Sequence, residues 1–262
     1  MTIPIYQADA FTTSLFGGNP AAVCPIKEWL PDELMQKIAL ENNLSETAFL
    51  VADNGNYHIR WFTPGTEVKL CGHATLASAH ILFTVLGHKG NTVTFHSKSG
   101  DLKVTRNDSG QLTLDFPANP PTPVTAIPPG IFEGLGIDAA PVFSTSFDYM
   151  VVLPSASAVE ALKPDFKTLA QTPCRGVIVT APGNESDFVS RCFYPQSGVD
   201  EDPVTGSAHT IMVPYWAEKL QKQRLSAIQL SARRGHLDCT LAGDRVLMSG
   251  FAVTYLKGEI EV

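Results

Sequence analysis

A glutamate at the start of an apolar strand is the first candidate for chemistry in this chain. Glu46 directly precedes residues 47–51, a largely apolar run that predicts a buried strand. Burial disfavours the charged form of a carboxyl group unless partners compensate, so a glutamate there can take and return a proton near neutral pH. The alternative interpretation is a solvated glutamate at a strand edge, which is the commoner environment for this residue type.

A histidine and an acidic cluster lie beside two predicted helix starts. His73 falls in the first turn of a helix predicted from Gly72, where the helix dipole disfavours an imidazolium, so we expect a neutral His73. A capping or core histidine is the alternative. Asp202 is the last of three consecutive acids and lies five residues before Ser207. Three acids exceed what a helix N-terminus needs, so we expect one of them to face a site.

A cysteine directly precedes the same helix start. That position can lower the pKa of a thiol and create a nucleophile, which makes Cys71 a candidate. The matching residue in the second half of the chain is Thr205, so a mechanism with one thiol from each half is unavailable and a buried structural cysteine is favoured. The five cysteines are scattered without a C-x-x-C spacing, which argues against a disulfide framework and a structural zinc site. We therefore predict no metal and no cofactor.

The element that must position these groups is a long apolar helix. Residues 74–88 contain no Lys, Arg, Asp or Glu, a pattern typical of a helix buried on nearly all faces. The segment 62–86 is similar in sequence to residues 193–220, and in this match Gly72 corresponds to Gly206. The first turn of a helix offers unpaired backbone N–H groups and is a ready anion site. We therefore predict two similar halves, each with a central buried helix whose start faces one shared cleft.

Composition sets the domain organisation and excludes several classes of protein. Six of the thirteen residues 117–129 are proline, which predicts a linker and a boundary near 118, with domains 1–118 and 119–262. Mostly strands with one buried helix per half indicate an α+β fold. A net charge of −7 without a basic cluster argues against nucleic acid, and no apolar run is long enough for a membrane helix. The first residues lack the apolar core of a signal peptide, so we expect a cytoplasmic protein.

Four segments together resemble the phenazine-biosynthesis PhzF-like isomerase family. They are residues 17–23 (GGNPAAV), 43–49 (NLSETAF), 62–64 with 70–74 (FTP and LCGHA) and 198–208 (GVDEDPVTGSA). The resemblance implies the diaminopimelate-epimerase-like fold, in which two similar domains each wrap a barrel-like, mostly antiparallel sheet around a central helix. It also implies a homodimer, a site between the two domains, and a last strand that can return to the first domain.

The resemblance also implies roles for residues in this chain. Glu46 matches the family's catalytic acid/base. His73, Asp202 and Ser207 match its other polar site residues. Gly18 and Asn19, with the helix starts at Gly72 and Gly206, match its substrate-binding positions.

These observations lead to one hypothesis and three alternatives. The hypothesis is a cofactor-independent isomerase in which Glu46 moves a proton on a small carboxylate substrate, by allylic isomerisation or by epimerisation. The alternatives are a thiol-based racemase or epimerase that uses Cys71, and a catalytically silent module that binds small anions. A cysteine hydrolase that uses Cys71 and His73 is weaker, because no third orienting residue is evident.

Overall fold

The computed structural model describes residues 1–262 and divides them into two compact units. The first unit comprises Met1–Phe116 with Met248–Val262, and the second comprises Pro117–Leu247. The chain leaves the first unit two residues before the boundary expected at 118, inside the predicted linker. Residues 248–262, which the sequence boundary assigned to the second half, lie in the first unit. The reason is strand pairing, because the last strand runs antiparallel to the first over most of its length.

The first unit contains nine strands and two helices. Its strands are β1 (Thr2–Ala10), β2 (Asn19–Ile26), β3 (Glu46–Asp53), β4 (Asn56–Phe62), β5 (Glu67–Val68), β6 (Thr92–Ser97), β7 (Gly100–Arg106), β8 (Leu112–Pro117, whose last residue begins the second unit) and the returning strand, β18 (Ala252–Glu261). Its helices are α1 (Asp32–Asn42) and α2 (Gly72–Thr84). Pro31 is the N-cap residue of α1, and Asp32 and Glu33 lie in the first turn, where acids suit the helix dipole.

The second unit has the remaining strands and mostly short helices. Its strands are β9 (Thr122–Pro123), β10 (Val142–Ser144), β11 (Asp148–Val152), β12 (Gly176–Pro182), β13 (Phe188–Tyr194), β14 (Val199–Asp202), β15 (Arg224–Gln229), β16 (Gly235–Ala242) and β17 (Arg245–Gly250), which runs on into the first unit. Its helices are α3 (Ile131–Leu135), α4 (Ala156–Glu160), α5 (Phe166–Leu169) and α6 (Gly206–Leu220), with a 3₁₀ turn at Pro195–Ser197. The helices α4 and α5 lie on either side of Pro164, which cannot continue a helix.

The two units repeat one pairing scheme. In the first, β2 and β3 are parallel, β3 and β4 antiparallel, and β4 and β6 parallel. In the second, β11 and β12 are parallel, β12 and β13 antiparallel, and β13 and β15 parallel. A short strand follows in each case, with β5 on β4 and β14 on β13. The predicted α+β fold of two similar halves with mostly antiparallel sheets is confirmed.

The repeat extends to side chains. In the first unit Arg60 Nε donates to Glu67 Oε1 at 2.8 Å, and the guanidinium lies over the ring of Phe62, 5.1 Å from its centroid. The second unit has the same pair of contacts, made by Arg191 with Glu201 (2.8 Å) and with Phe193 (5.1 Å). Each arginine lies two residues before its phenylalanine. Glu201, one of the three consecutive acids, is therefore held in this ion pair.

The two long helices are buried as predicted. In α2 every residue from Gly72 to Phe83 is buried except His80, and the helix packs on β1, β2, β3 and β18. In α6 most of the first two turns is buried, and the helix continues through Pro214 to Leu220. None of the helices combines the length and the apolarity that crossing a bilayer requires. In each unit the sheet therefore fixes the position of a long helix, and with it the residues at the start of that helix.

Candidate active site

The first group of predicted residues lies where β2 begins. Gly18 has a φ of +57°, and a Cβ added there would lie 2.0 Å from the carbonyl oxygen of Ala10, so only glycine fits. Asn19 is 0% exposed, and its Nδ2 lies 3.1 Å from Nδ1 of His73. The structure therefore places the Asn19 side chain against the histidine. A direct contact of Asn19 with substrate stays a prediction.

Glu46 begins β3 and reaches the same histidine. Parallel pairing sets Ala21 of β2 opposite Glu46, which brings the starts of the two strands together. Oε2 of Glu46 lies 3.1 Å from Nε2 of His73, although the contact does not meet hydrogen-bond geometry, so we describe it as an ion pair. Both atoms are buried and make no hydrogen bond. The Glu46 side chain is 16% exposed, although its Oε2 atom is buried.

Cys71 and His73 are positioned by the start of α2. Cys71 is the N-cap residue, with an extended backbone (φ −145°, ψ 115°). Its Sγ lies 3.6 Å from Nδ1 of His73, on the side of the ring away from Glu46. Burial, reinforced by the negative charge of Glu46, raises the pKa of the Cys71 thiol to about 11. The thiol is therefore protonated at neutral pH and is a poor base, despite its place at a helix start.

The pKa of His73 is shifted in the direction opposite to the expected one. Burial by itself lowers the pKa of His73, but Cys71 and Glu46, which face its ring, more than offset burial and raise the pKa well above its ordinary value. Glu46 acts on the ring from 3.1 Å, and Cys71 can raise the pKa further only as a thiolate. This direction runs against the prediction of a neutral His73, which considered only the helix dipole, a contribution of about 0.3–1 kcal/mol. A carboxylate 3.1 Å away in a buried site outweighs it.

The amide of Asn19 can follow a change in the charge of His73. When the ring is neutral with its proton on Nε2, Nδ1 accepts a hydrogen bond from Nδ2 of Asn19. When the ring is charged, Nδ1–H donates, and the amide turns to present its oxygen. Asn19 thus has a polar group suited to either state of His73.

In the second unit, Asp202 lies at the end of β14 and beside the start of α6. Thr205 Oγ1 donates to Oδ2 of Asp202 at 2.6 Å, and Gln229 Nε2 donates to the Asp202 carbonyl at 2.7 Å. Gln229 Oε1 also accepts from the backbone N–H of Thr205 at 2.9 Å. The buried Gln229 therefore ties the acidic residue and the N-cap residue of α6 into one network.

Ser207 lies in the first turn of α6 and has a cationic neighbour. Arg175 Nη2 donates to Ser207 Oγ at 3.3 Å. The same guanidinium forms a two-point ion pair with the buried Asp148, in which Nε donates to Oδ1 at 2.9 Å. Arg175 lies just before β12. In the repeat this position corresponds to that of Glu46, at the start of β3. The two units therefore carry opposite charges beside their central helices.

Both central helices begin at a buried glycine after an extended N-cap residue. The N-cap side chains, of Cys71 and Thr205, make no capping hydrogen bond. Gly72 and Gly206 therefore start helices whose first N–H groups are not capped by these residues, as an anion-binding helix start requires.

Sequence reasoning identified most of these residues but missed one grouping. The sequence contains no metal-ligand spacing, yet one ligand atom from each of Glu46, Cys71 and His73 lies within 4.8 Å of the other two. Glu46 lies 25 residues before Cys71 in the chain, so only the packing of β3 against α2 brings them together. A spacing rule could not have found this group.

Comparison with known proteins places the chain in a family. The sequence family described as phenazine biosynthesis-like protein matches residues 8–258. An uncharacterized isomerase of Pseudomonas aeruginosa is 52% identical over 262 residues, with 100% of each chain covered. A PhzF-family crystal structure from Enterococcus faecalis superposes with a TM-score of 0.95 at 43% identity, with 100% of each chain covered.

A distant likeness concerns the fold alone. A hydroxyproline epimerase from Agrobacterium vitis superposes with a TM-score of 0.64 at 10% identity, over 99% of this chain and 92% of that one. The expected epimerase-like fold is therefore confirmed. The chain belongs to the phenazine biosynthesis-like PhzC-PhzF family and is an isomerase.

Proposed function

We propose that this isomerase moves a proton between two positions of a small carboxylate substrate, without a cofactor, and that Glu46 is the acid/base. The observation that carries the proposal is the placement of Glu46, whose side chain is partly exposed and whose Oε2 lies 3.1 Å from Nε2 of a buried histidine. The reaction is allylic isomerisation or epimerisation, and the family resemblance favours the former.

The proton transfer follows from the chemistry of the group around Glu46. The carboxylate takes a proton from a carbon next to an activating group, and His73 supplies a positive charge beside the negative charge that develops. Glu46, now neutral, returns the proton to another carbon or to the opposite face. One positioned acid–base group typically contributes about 10²–10⁴-fold to the rate. Oriented N–H donors at the start of α2 stabilise the carbanion or dienolate by a similar further factor.

The residues of the second unit enter the proposal as binding and polarising groups. Asp202 and Ser207 are assigned to polar contacts with substrate, and the helix start at Gly206 to its carboxylate. The support is the position of Arg175, whose guanidinium donates to Ser207 Oγ while it is paired with the buried Asp148. We therefore expect substitutions here to raise KM more than they lower kcat.

Solvent-deuterium exchange tests the proposal. Candidate small carboxylates are incubated in deuterated water with the wild type, and incorporation is followed by mass spectrometry. Glu46→Gln should abolish incorporation into a true substrate while binding remains. Glu67→Gln is the matched control, because Glu67 is also a strand-start glutamate of the first unit with a 19% exposed side chain. Full exchange in Glu46→Gln would end the proposal.

The thiol-based racemase is the competing mechanism, and the contact of Cys71 with His73 is the observation in its favour. The raised pKa of Cys71 speaks against it. Cys71→Ser decides between the two, since a catalytic thiol could not be replaced by a hydroxyl without a large loss of rate. Tight binding of carboxylates without exchange would instead favour a silent binding module.

We also propose a homodimer, which the family resemblance supports, and a cytoplasmic location, which rests on the sequence expectation alone. Sedimentation equilibrium of the purified chain tests the dimer, and fractionation of cells that express it tests the location. A monomer at all concentrations would contradict the first of these.

A further inference from the structure

A thiol, an imidazole and a carboxyl group converge at the start of α2, and they are the three side-chain types from which proteins build zinc sites. One ligand atom each from Cys71, His73 and Glu46 lies within 4.8 Å of the others. We propose that these residues bind Zn²⁺, and that the ion inhibits the enzyme by occupying the proton-transferring group.

The distances suit a tetrahedral ion. Zinc bonds of about 2.0–2.3 Å place neighbouring ligand atoms about 3.3–3.6 Å apart. The distance from Glu46 Oε2 to His73 Nε2 is 3.1 Å, and that from Cys71 Sγ to His73 Nδ1 is 3.6 Å. These two contacts are made to different nitrogens of the ring, so a shared ion uses one nitrogen, and the side chain that faces the other nitrogen turns towards it, across a separation of no more than 4.8 Å between ligand atoms. Oε2 and Nε2 are buried and make no hydrogen bond, so the ion would satisfy both.

The charges balance when the thiol ionises. On binding, the Cys71 proton and any second proton on the ring leave to solvent, and the ring binds as neutral imidazole. One thiolate and one carboxylate then neutralise the dication, which a buried site requires. The helix start disfavours a cation but favours the thiolate. A thiolate and an imidazole select zinc or cobalt over magnesium and calcium, which prefer oxygen ligands.

The surroundings supply the rest of the site. Asn19 lies 3.1 Å from Nδ1 of His73, and with its amide turned it accepts the Nδ1–H bond that orients a zinc-bound histidine. The Glu46 side chain is partly exposed to solvent, and a zinc ion with three protein ligands takes water in its fourth position. With the Glu46 oxygens on the metal, the carboxylate no longer acts as a base.

Metal binding is tested directly, without reference to activity. The metal-free full chain is titrated with Co²⁺, read by thiolate-to-cobalt charge-transfer absorption, and with Zn²⁺ by calorimetry. We expect one ion per chain, no response to Mg²⁺, and a charge-transfer band that Cys71→Ser abolishes. Removing a ligand should lower the affinity for Zn²⁺ by at least about 10–100-fold, since removing even a hydrogen-bond partner of a metal ligand costs that much. Glu46→Gln should weaken binding but keep the band, which covers the case that Cys71→Ser does not fold.

The control addresses the competing surface site. The rings of His58 and His96 lie 5.2 Å apart, with Asp53 and Asp101 beside them. The double variant His58→Gln/His96→Gln should leave the cobalt band and the zinc affinity unchanged. Absence of the band in the wild type, or loss of zinc binding in the double variant alone, would overturn the proposal.

Only the inhibition rests on the proposed function. Stoichiometric Zn²⁺ should suppress solvent-deuterium exchange, and a chelator should restore it. If the cobalt band is found but Glu46→Gln still exchanges fully, the metal site stands and the proposed function fails. If Glu46→Gln abolishes exchange as proposed but the wild type binds no ion, the proposed function stands and the metal site fails.

Discussion

Glu46→Gln is the most informative substitution, because its effect on His73 can be measured without a substrate. Glutamine keeps the shape of the side chain and removes its charge. Two unit charges 3.1 Å apart attract by about 5 kcal/mol at an effective dielectric constant of about 20, and the variant loses this attraction while the ring stays buried. Burial alone lowers the pKa of His73. We therefore expect the pKa of His73 to fall in the variant, from well above its ordinary value to a lower one.

The assay is a proton–carbon NMR titration of the histidine ring signals. The chain has seven histidines, so the His73 signal is assigned through a His73→Gln variant. The Glu67→Gln control should leave the titration of His73 unaltered, because Glu67 is paired with Arg60 and not with His73. With a true substrate, the loss of a base should lower kcat by about 10²–10⁴-fold, or about 3–5 kcal/mol in the barrier. An unchanged titration of His73 in Glu46→Gln would refute the ion pair, whatever the kinetics show.

Three further predictions use other parts of the first unit. Gly18→Ala should destabilise the protein by at least about 2 kcal/mol in urea unfolding, because its Cβ would meet the Ala10 carbonyl in a left-handed backbone; an unchanged midpoint would contradict the geometry. Cys71→Ser should cost less than about tenfold in kcat, where loss of a true base would cost about 10²–10⁴-fold; a loss in that range would make the thiol the base. Burial, with a contribution from Lys257, lowers the pKa of His80 to about 4. As the pH falls, His80 therefore binds a proton in the unfolded chain before it does so in the folded chain. The free energy of unfolding should then fall by up to about 3 kcal/mol as the pH drops from 6.5 towards 4. The difference in unfolding free energy between wild type and His80→Gln, measured across this range, should change accordingly, and a constant difference would exclude the effect.

The sequence predicts the repeated fold because the pattern of apolar residues and the positions of proline indicate its helices and its boundary. The uncharged run 74–88 predicts a buried helix, which the structure ends at Thr84, and proline at 117–129 marks the exit from the first unit. The pairing of β18 with β1 was accessible only through the family resemblance, since contacts between distant segments leave no trace in local pattern.

The site was predicted as a set of residues but not as a set of contacts. Glu46, His73 and Asn19 were each identified, yet the contacts that set the charge of His73 depend on the meeting of β2, β3 and α2. The helix dipole was the only local electrostatic effect that the sequence offered, and it is the weaker one. In the same way, Glu201 could not be separated from Asp202 until its partner Arg191 was located.

The return of β18 to β1 has a consequence for synthesis on the ribosome. The sheet of the first unit lacks one of its strands until residues 117–247 have been translated, so that unit cannot finish folding when its own first 116 residues emerge. Until then, one side of β1 has unpaired backbone N–H and C=O groups, and an exposed strand edge of this kind promotes aggregation. The second unit is one continuous segment, so we expect it to complete its folding no later than the first unit.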